Sequence, residues 1–403
     1  MSYEEDDFSK DYEFIDWVTN TERAEIDGKD EVFLRSGFGS LRPILIAMEA
    51  MAREVEFDKD TVGFDIRTDE RGKTVVVPKA KTKAVRYFMN LNAFLHSHAS
   101  SKRYVFSPHV QAVSEALEAS GFNSDTGGFR FREPGMVDLG TGKTHGEIFN
   151  EVVAKIAEIV ASSRFRERLR VRQRNAERNE ARGLAIEQKV FENKSRQVLL
   201  MLHFGYQEPY RRTLTLEEIQ KHRQKFFNNC RSNKLLRGIV DYIWTIEEGD
   251  ESGLHLHMLI FHNADFQRDV YIAKLIGDYW VKVTGGIGQY WNSNANKAFH
   301  AKYGHGVGTG EINWDNFEKR VALRENIRYM TKADQFLKMK YGKRSHLFGT
   351  SRVEEKKKPG RPRKQFGDLY GMVDVDAGDD LSGDMPDVDD TLDQGDTADG
   401  EAD

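Results

Sequence analysis

The sequence predicts an α+β protein: an antiparallel sheet with helices, preceded by a mixed N-terminal region and a long basic helix, and followed by an acidic disordered tail. Three observations predict it. Between residues 195 and 350, apolar runs of strand period alternate with stripes of helical period. Residues 146–190 lack proline and are rich in Ala, Arg and Glu, as a long helix requires. From Gly371 onward thirteen acidic residues stand without a single Lys or Arg.

In chain order, residues 1–30 carry eleven acids against Lys10, Arg23 and Lys29 and read as a disordered acidic N-terminus. Residues 31–143 form an α+β region of unassigned role, with helical periodicity near 42–56 and 83–96 and strand-like pieces at 74–77 and 103–106. Leu139-Gly140-Thr141-Gly142-Lys143-Thr144 resembles a phosphate loop, but the position of its first glycine is Val137, so it reads as a turn before the long helix. That helix carries Arg164, Arg166, Arg168, Arg170, Arg172, Arg174 and Arg178 in its second half. Such a run suits a solvated connector and a DNA-backbone contact equally well.

The domain at 195–350 begins with a buried strand, Arg196 to Tyr206, and a helix from Thr215 to Cys230 whose Ile219, His222, Phe226 and Phe227 share a stripe. A strand from Arg237 to Glu247, a turn from Glu248 to Gly253 and a strand from His255 to His262 make an antiparallel hairpin. A helix near 268–284, strands near 289–292 and 308–312, and a helix over 314–340 complete it. Strand-helix-strand-strand-helix-strand is the order of a ferredoxin-like or RNA-recognition-motif-like sheet with helices on one face.

Composition narrows the function. With 39% hydrophobic and 31% charged residues there is a core to bury, and no apolar run reaches the ~20 residues of a membrane span. The N-terminus is acidic where a signal peptide is basic, so the expected location is cytoplasmic, with no membrane partner. The lone Cys230 excludes an intramolecular disulfide and a Cys-rich zinc module. Against a chain total of −5, the two acidic ends leave residues 31–370 with a net charge of +16. A basic middle favours a polyanionic partner.

The chemistry centres on Gly253-Leu254-His255-Leu256-His257-Met258. Strand residues two apart share a face, so His255 and His257 would project together. The spacing alone decides little, because His96 and His98 repeat it at the end of a helical stripe, where residues two apart diverge. What distinguishes the second pair is Glu247, placed beside both imidazoles across the hairpin, with Glu248 the alternative if the turn is one residue tighter. Two neutral nitrogens and a carboxylate suit Mg²⁺ or Mn²⁺ at a phosphate oxygen. On the last helix, Tyr329 and Lys332 share a face; a phenol beside an ammonium and a metal-polarised phosphate can act as a nucleophile. His203 on the first strand can face the same surface and ranks below the two ligands, while Tyr290 and Trp291 suit either base stacking or the core.

Glu247, His255-x-His257 and Tyr329-x-x-Lys332 in this order resemble the HUH endonucleases, the superfamily of rolling-circle replication initiators and plasmid relaxases. Further segments, Tyr242-Ile243-Trp244, Ile276-Gly277-Asp278-Tyr279-Trp280, Asn292-Ser293-Asn294, Gly306-Val307-Gly308, Arg328-Tyr329-Met330-Thr331-Lys332 and Phe348-Gly349, are similar to the inovirus-type replication proteins of phages and prophages, also described as the YagK/YfjJ C-terminal domain family. The likeness covers about residues 195–350 and departs at the closing segment Arg344 to Arg352, which is longer than the family's. It implies an HUH-type fold and a single-tyrosine nickase of rolling-circle replication in a bacterial host cell. His255, His257 and Glu247 would hold the metal. Tyr329 would attack the scissile phosphate of single-stranded origin DNA, leaving a 3′-hydroxyl and a 5′-phosphotyrosine for later rejoining, with Lys332 stabilising charge or orienting the phenol. A host helicase and polymerase are the expected partners. A relaxase mobilising a genetic element shares this chemistry, and a noncatalytic DNA-binding regulator would share the fold alone.

After the domain, residues 354–366 hold Gly360-Arg361-Pro362-Arg363-Lys364 with basic flanks, the pattern of an AT-hook whose Arg361, Arg363 and Lys364 would contact A·T-rich DNA. Residues 371–403 are the disordered acidic tail.

Overall fold

The computed structural model describes residues 21–26, 29–34, 42–58, 62–79, 84–97, 104–122, 129–230, 232–249, 252–265, 267–297, 301, 306–339 and 347–351, with 21–34, 97, 104–105, 249 and 332–339 described by backbone alone. The AT-hook-like segment with Arg361, Arg363 and Lys364, and the acidic tail, lie outside these residues. The described part is α+β, with helices and a many-stranded antiparallel sheet. Its apolar side chains gather in one cluster drawn from residues 45–165 and two drawn from residues 186–347.

The N-terminal part corrects one expectation. Residues 21–30 are not wholly without structure: β1 (Thr21–Ile26) and β2 (Lys29–Leu34) pair antiparallel, Thr21 opposite Leu34 and Ile26 opposite Lys29. Between them the sequence carries Asp27-Gly28, the residue pair that two-residue hairpin connections favour, and acidic composition hid that signal. The helix α1 (Arg42–Phe57) follows, then the hairpin β3 (Phe64–Thr68) and β4 (Thr74–Pro78), α2 (Phe88–Ser97), β5 (Tyr104–Phe106) and α3 (Pro108–Ala119). Phe64, Phe88, Phe131 and Phe149 meet edge to face at the centre of this core, the arrangement ring quadrupoles prefer.

The long helix is two. The helix α4 (His145–Val160) starts at a capping box in which Thr144 and Glu147 satisfy each other's backbone amides, confirming the Gly140–Lys143 segment as a turn. It ends at Ala161, and α5 (Ser163–Asn193) restarts with Ser162 accepting from the Phe165 amide. A serine that caps the second helix while bonding the Ile159 carbonyl explains the break that the Ala- and Arg-rich composition concealed. Phe165 plugs the N-terminal core, while Ile186, Val190 and Phe191 plug a core of the C-terminal part.

The C-terminal part is a six-stranded sheet: β6 (Arg196–Tyr206), β7 (Ile239–Gly249), β8 (Gly253–Asn263), β9 (Gly288–Asn292), β10 (Gly310–Asn313) and β12 (Phe348–Thr350). The order runs β10-β6-β8-β7-β12, with β9 also paired to β6, and every pairing is antiparallel. Its helices are the short α6 (Glu208–Arg211), α7 (Leu216–Asn228), α8 (Asp269–Val283) and α9 (Phe317–Phe336). A three-residue strand, β11 (Leu337–Met339), follows α9 directly and pairs with β5, so the last helix stops short of residue 340.

Helices cover both faces of this sheet, not one. Leu254, Leu256, Met258 and Ile260 of β8 meet Ile219 and Phe226 of α7 and Ile272, Ile276 and Trp280 of α8. Leu259 and Phe261, on the opposite face, meet α5 and Leu323, Ile327 and Met330 of α9. The reason lies in β8 itself, which is buried along ten consecutive residues and therefore needs cover on each side. The pair α5 and α9 run antiparallel, locked by Glu187 to Arg320 and Arg324 and by Glu180 to Arg328.

Candidate metal centre

The register of the β7–β8 hairpin sets the site. Glu247 stands opposite His255 and Thr245 opposite His257, so the parity that points His255 and His257 to one face puts Glu247 there as well. Glu248 pairs with Leu254 and belongs to the other face, which decides between the two glutamates in favour of Glu247. The turn is held by Gly253 at φ +62°; a Cβ there would approach the Arg211 carbonyl oxygen to 2.7 Å, so only glycine fits beside α6.

The ligand atoms of Glu247, His255 and His257 all lie within 4.8 Å of one another. His255 and His257 are buried, and their ring centroids are 4.8 Å apart. His255 Nδ1 lies 2.9 Å from the Gly253 carbonyl, which as acceptor fixes the Nδ1–H tautomer and turns the Nε2 lone pair toward the cluster. His257 Nε2 lies 3.2 Å from Glu247 Oε2 and has no well-formed hydrogen bond, so the carboxylate is the neighbour this buried nitrogen faces. Two buried imidazoles beside one carboxylate, with their ligand atoms this close, are a donor set that suits a divalent cation. This group can hold a metal ion.

Electrostatics agree. Burial, reinforced by the neighbouring His257, pushes His255 down to about 4, so it is a neutral ligand at neutral pH. Burial alone would raise Glu247, but the two imidazoles outweigh it and hold the carboxyl below its usual value.

The same face carries His203, which the sequence ranks below the two ligands, and three residues that the sequence alone does not assign to it, Trp291, Thr245 and Phe348. His203 of β6 stands opposite His257 with ring centroids 4.1 Å apart. Trp291 of β9 stands opposite His203, and Phe348 of β12 opposite Thr245. Trp291, His203, His257, Thr245 and Phe348 thus form one row across five strands. For His203 the signal was the parity of Leu199, Met201 and His203 on β6; for the others it needed the strand order, which no local pattern supplies. Tyr290, by contrast, packs over Gly277 and donates to Asp278, a structural role on the opposite face.

Tyr329 is half-buried on α9, between Ile327, buried beside Gly183 and Ile243, and Met330. Because Ile327 and Met330 share a cluster with Leu259, and Leu259 has the parity of His257, α9 covers the histidine face of the sheet. It begins beside β10, which pairs with the start of β6, and runs antiparallel to α5 toward the histidine end of β8. Lys332 is helical by its backbone, and its side chain falls outside the described residues. His96 hydrogen-bonds the Asn92 carbonyl within α2, and His98 lies outside the described residues. Among the described residues no helix is long and apolar enough to cross a membrane. No protein-family model, no curated protein and no solved structure matches the chain.

Proposed function

We propose that the chain is a metal-dependent tyrosine endonuclease of the HUH type that nicks single-stranded origin DNA in phage- or prophage-type rolling-circle replication. The observation that carries this reading is the convergence of Glu247 with the buried His255 and His257, on the sheet face covered by α9, the helix that bears the half-buried Tyr329. The centre suits Mg²⁺ or Mn²⁺, and a bound cation would draw charge from a phosphate oxygen and so ease attack at phosphorus.

The chain's residues would divide the remaining work. Tyr329 gives its phenolic proton to water and its oxygen attacks the scissile phosphorus; the P–O3′ bond breaks, its electron pair leaves on O3′, and O3′ is protonated. One phosphodiester is exchanged for another, so the 5′-phosphotyrosine keeps the bond energy needed to rejoin the strand when a 3′-hydroxyl returns. Lys332, one helical turn on, would favour the phenolate and the charge developing on the phosphate. Burial of β8 on both faces would keep the two imidazoles in place beside the carboxylate.

The test is incubation of the full chain with end-labelled single-stranded DNA carrying the element's replication origin and Mn²⁺. A protein-linked 5′ product is expected, lost in Tyr329→Phe and in the double variant His255→Ala/His257→Ala. Product that persists in Tyr329→Phe would remove the nucleophile; product that persists in the double variant would remove the metal's role.

A further inference from the structure

Exposed charge on the first part of α5 is nearly all of one sign. Between residues 163 and 182 the exposed charged side chains are Arg164, Arg166, Arg170 and Arg174 against Glu177 alone. Other arginines of the helix are turned to its own packing, Arg168 paired with Glu115 of α3 and Arg178 beside Asn175. Arg166, Arg170 and Arg174 recur every four residues, so they share a face and span about 12 Å at 1.5 Å per residue. Glu167, its side chain 36% exposed, forms an ion pair with Arg170 through Nε at 2.9 Å and Nη2 at 2.5 Å, bracing that guanidinium while leaving it 62% exposed, and Glu177 accepts a hydrogen bond from Gln173 at 2.8 Å. Both ends of α5 are anchored, Phe165 in one core and Val190 in another, so the stripe is held rigid between them.

We propose that the Arg166, Arg170 and Arg174 face of α5 binds the phosphate backbone of double-stranded DNA. Guanidinium forks match phosphate oxygens in pairs. A duplex presents roughly one charge per 1.7 Å of axis, so a stripe of about 12 Å meets several phosphates whatever the sequence. The composition of the face selects this partner. A single strand is gripped by aromatic rings and a membrane surface by apolar side chains, and no aromatic or aliphatic side chain is exposed between residues 163 and 182, where the other exposed residues, Ser163 and Gln173, are polar. The excess positive charge of residues 31–370 draws the duplex in. This inference is independent of the nicking chemistry.

The experiment measures binding of the full chain to a labelled duplex of unrelated sequence across a salt series, with chelator present so that no metal acts. In the triple variant Arg166→Gln/Arg170→Gln/Arg174→Gln, the slope of log affinity against log salt is expected to become shallower by about 2.7, at roughly 0.9 per lost phosphate contact. The triple lysine variant should keep most of the slope, because it keeps the charge. An unchanged slope in the glutamine variant overturns the proposal, as does an equal change toward labelled oligo-dT, which would make the surface a single-strand site. Should the triple variant unfold, Arg166→Gln/Arg174→Gln alone should reduce the slope by about 1.8 on the same basis, and no reduction overturns the proposal.

Discussion

Glu247 and Glu248 are neighbours in sequence and strangers in space, since a strand sends successive side chains to opposite faces. Only Glu247 shares the side of His255 and His257, and its carboxylate is drawn into the charged form by them. Glu247→Gln is therefore expected to weaken Mn²⁺ binding by about tenfold or more, since even outer partners of a metal act on that scale. Glu248→Gln should leave the affinity unchanged. Titration of each purified variant with Mn²⁺ checks this, and equal losses would show that the face assignment is wrong. The histidine pair and the carboxylate were legible from spacing because period two is a purely local rule. His203 was only half legible: its parity is local, but its nearness to His257 depends on β6 lying beside β8.

At the scale of elements, β8 explains both what the sequence revealed and what it hid. Its unbroken run from Leu254 to His262 marks a strand, and the same burial on two faces calls for α5 and α9 opposite α7 and α8. The strand–helix order was readable from periodicity, whereas a second helical layer was not, because α5 lies before the sheet in sequence and α9 between its last two strands, β10 and β12, so no local pattern pairs the two helices. The strands β11 and β12, three residues each, are too short to show any period. Between α4 and α5 the break depends on one hydroxyl. Ser162→Ala removes the bond to the Phe165 amide and should cost about 1 kcal/mol of stability. Urea denaturation of the variant measures that loss directly. A value near zero would mean that the helices are separated by packing alone.

At the scale of the whole molecule, the cores on either side of α5 predict two unfolding transitions that respond to different perturbations. Phe165→Ala removes a ring buried against His109 and should lower only the N-terminal transition, by about 3–5 kcal/mol, while Leu259→Ala should lower only the other, by about 2–5 kcal/mol. Mn²⁺ should raise only the transition that Leu259→Ala lowers, since a ligand stabilises the part that binds it. Acid and base act on the N-terminal core through a buried cluster. Glu49 accepts from Arg53 Nε at 2.6 Å and from the Ser107 hydroxyl, and lies 3.2 Å from His109 Nδ1, whose Nε2 is 2.8 Å from Glu56. Burial opposes both charges, yet the His109 contact holds Glu49 down at about 2, and the two glutamates raise His109. A lowered carboxyl stabilises fully above its ordinary 4.5 and loses that contribution as pH falls toward 2; a raised imidazole stabilises fully below its ordinary 6.5 and loses it as pH rises through the folded value. The N-terminal transition should therefore be highest between about pH 4.5 and 6.5 and fall on the alkaline side, and calorimetry across pH should show the alkaline fall vanish in His109→Gln. A single transition, or two that shift together under these substitutions, would mean that α5 couples the cores into one cooperative unit, because a helix anchored in both is the element through which unfolding on one side would reach the other.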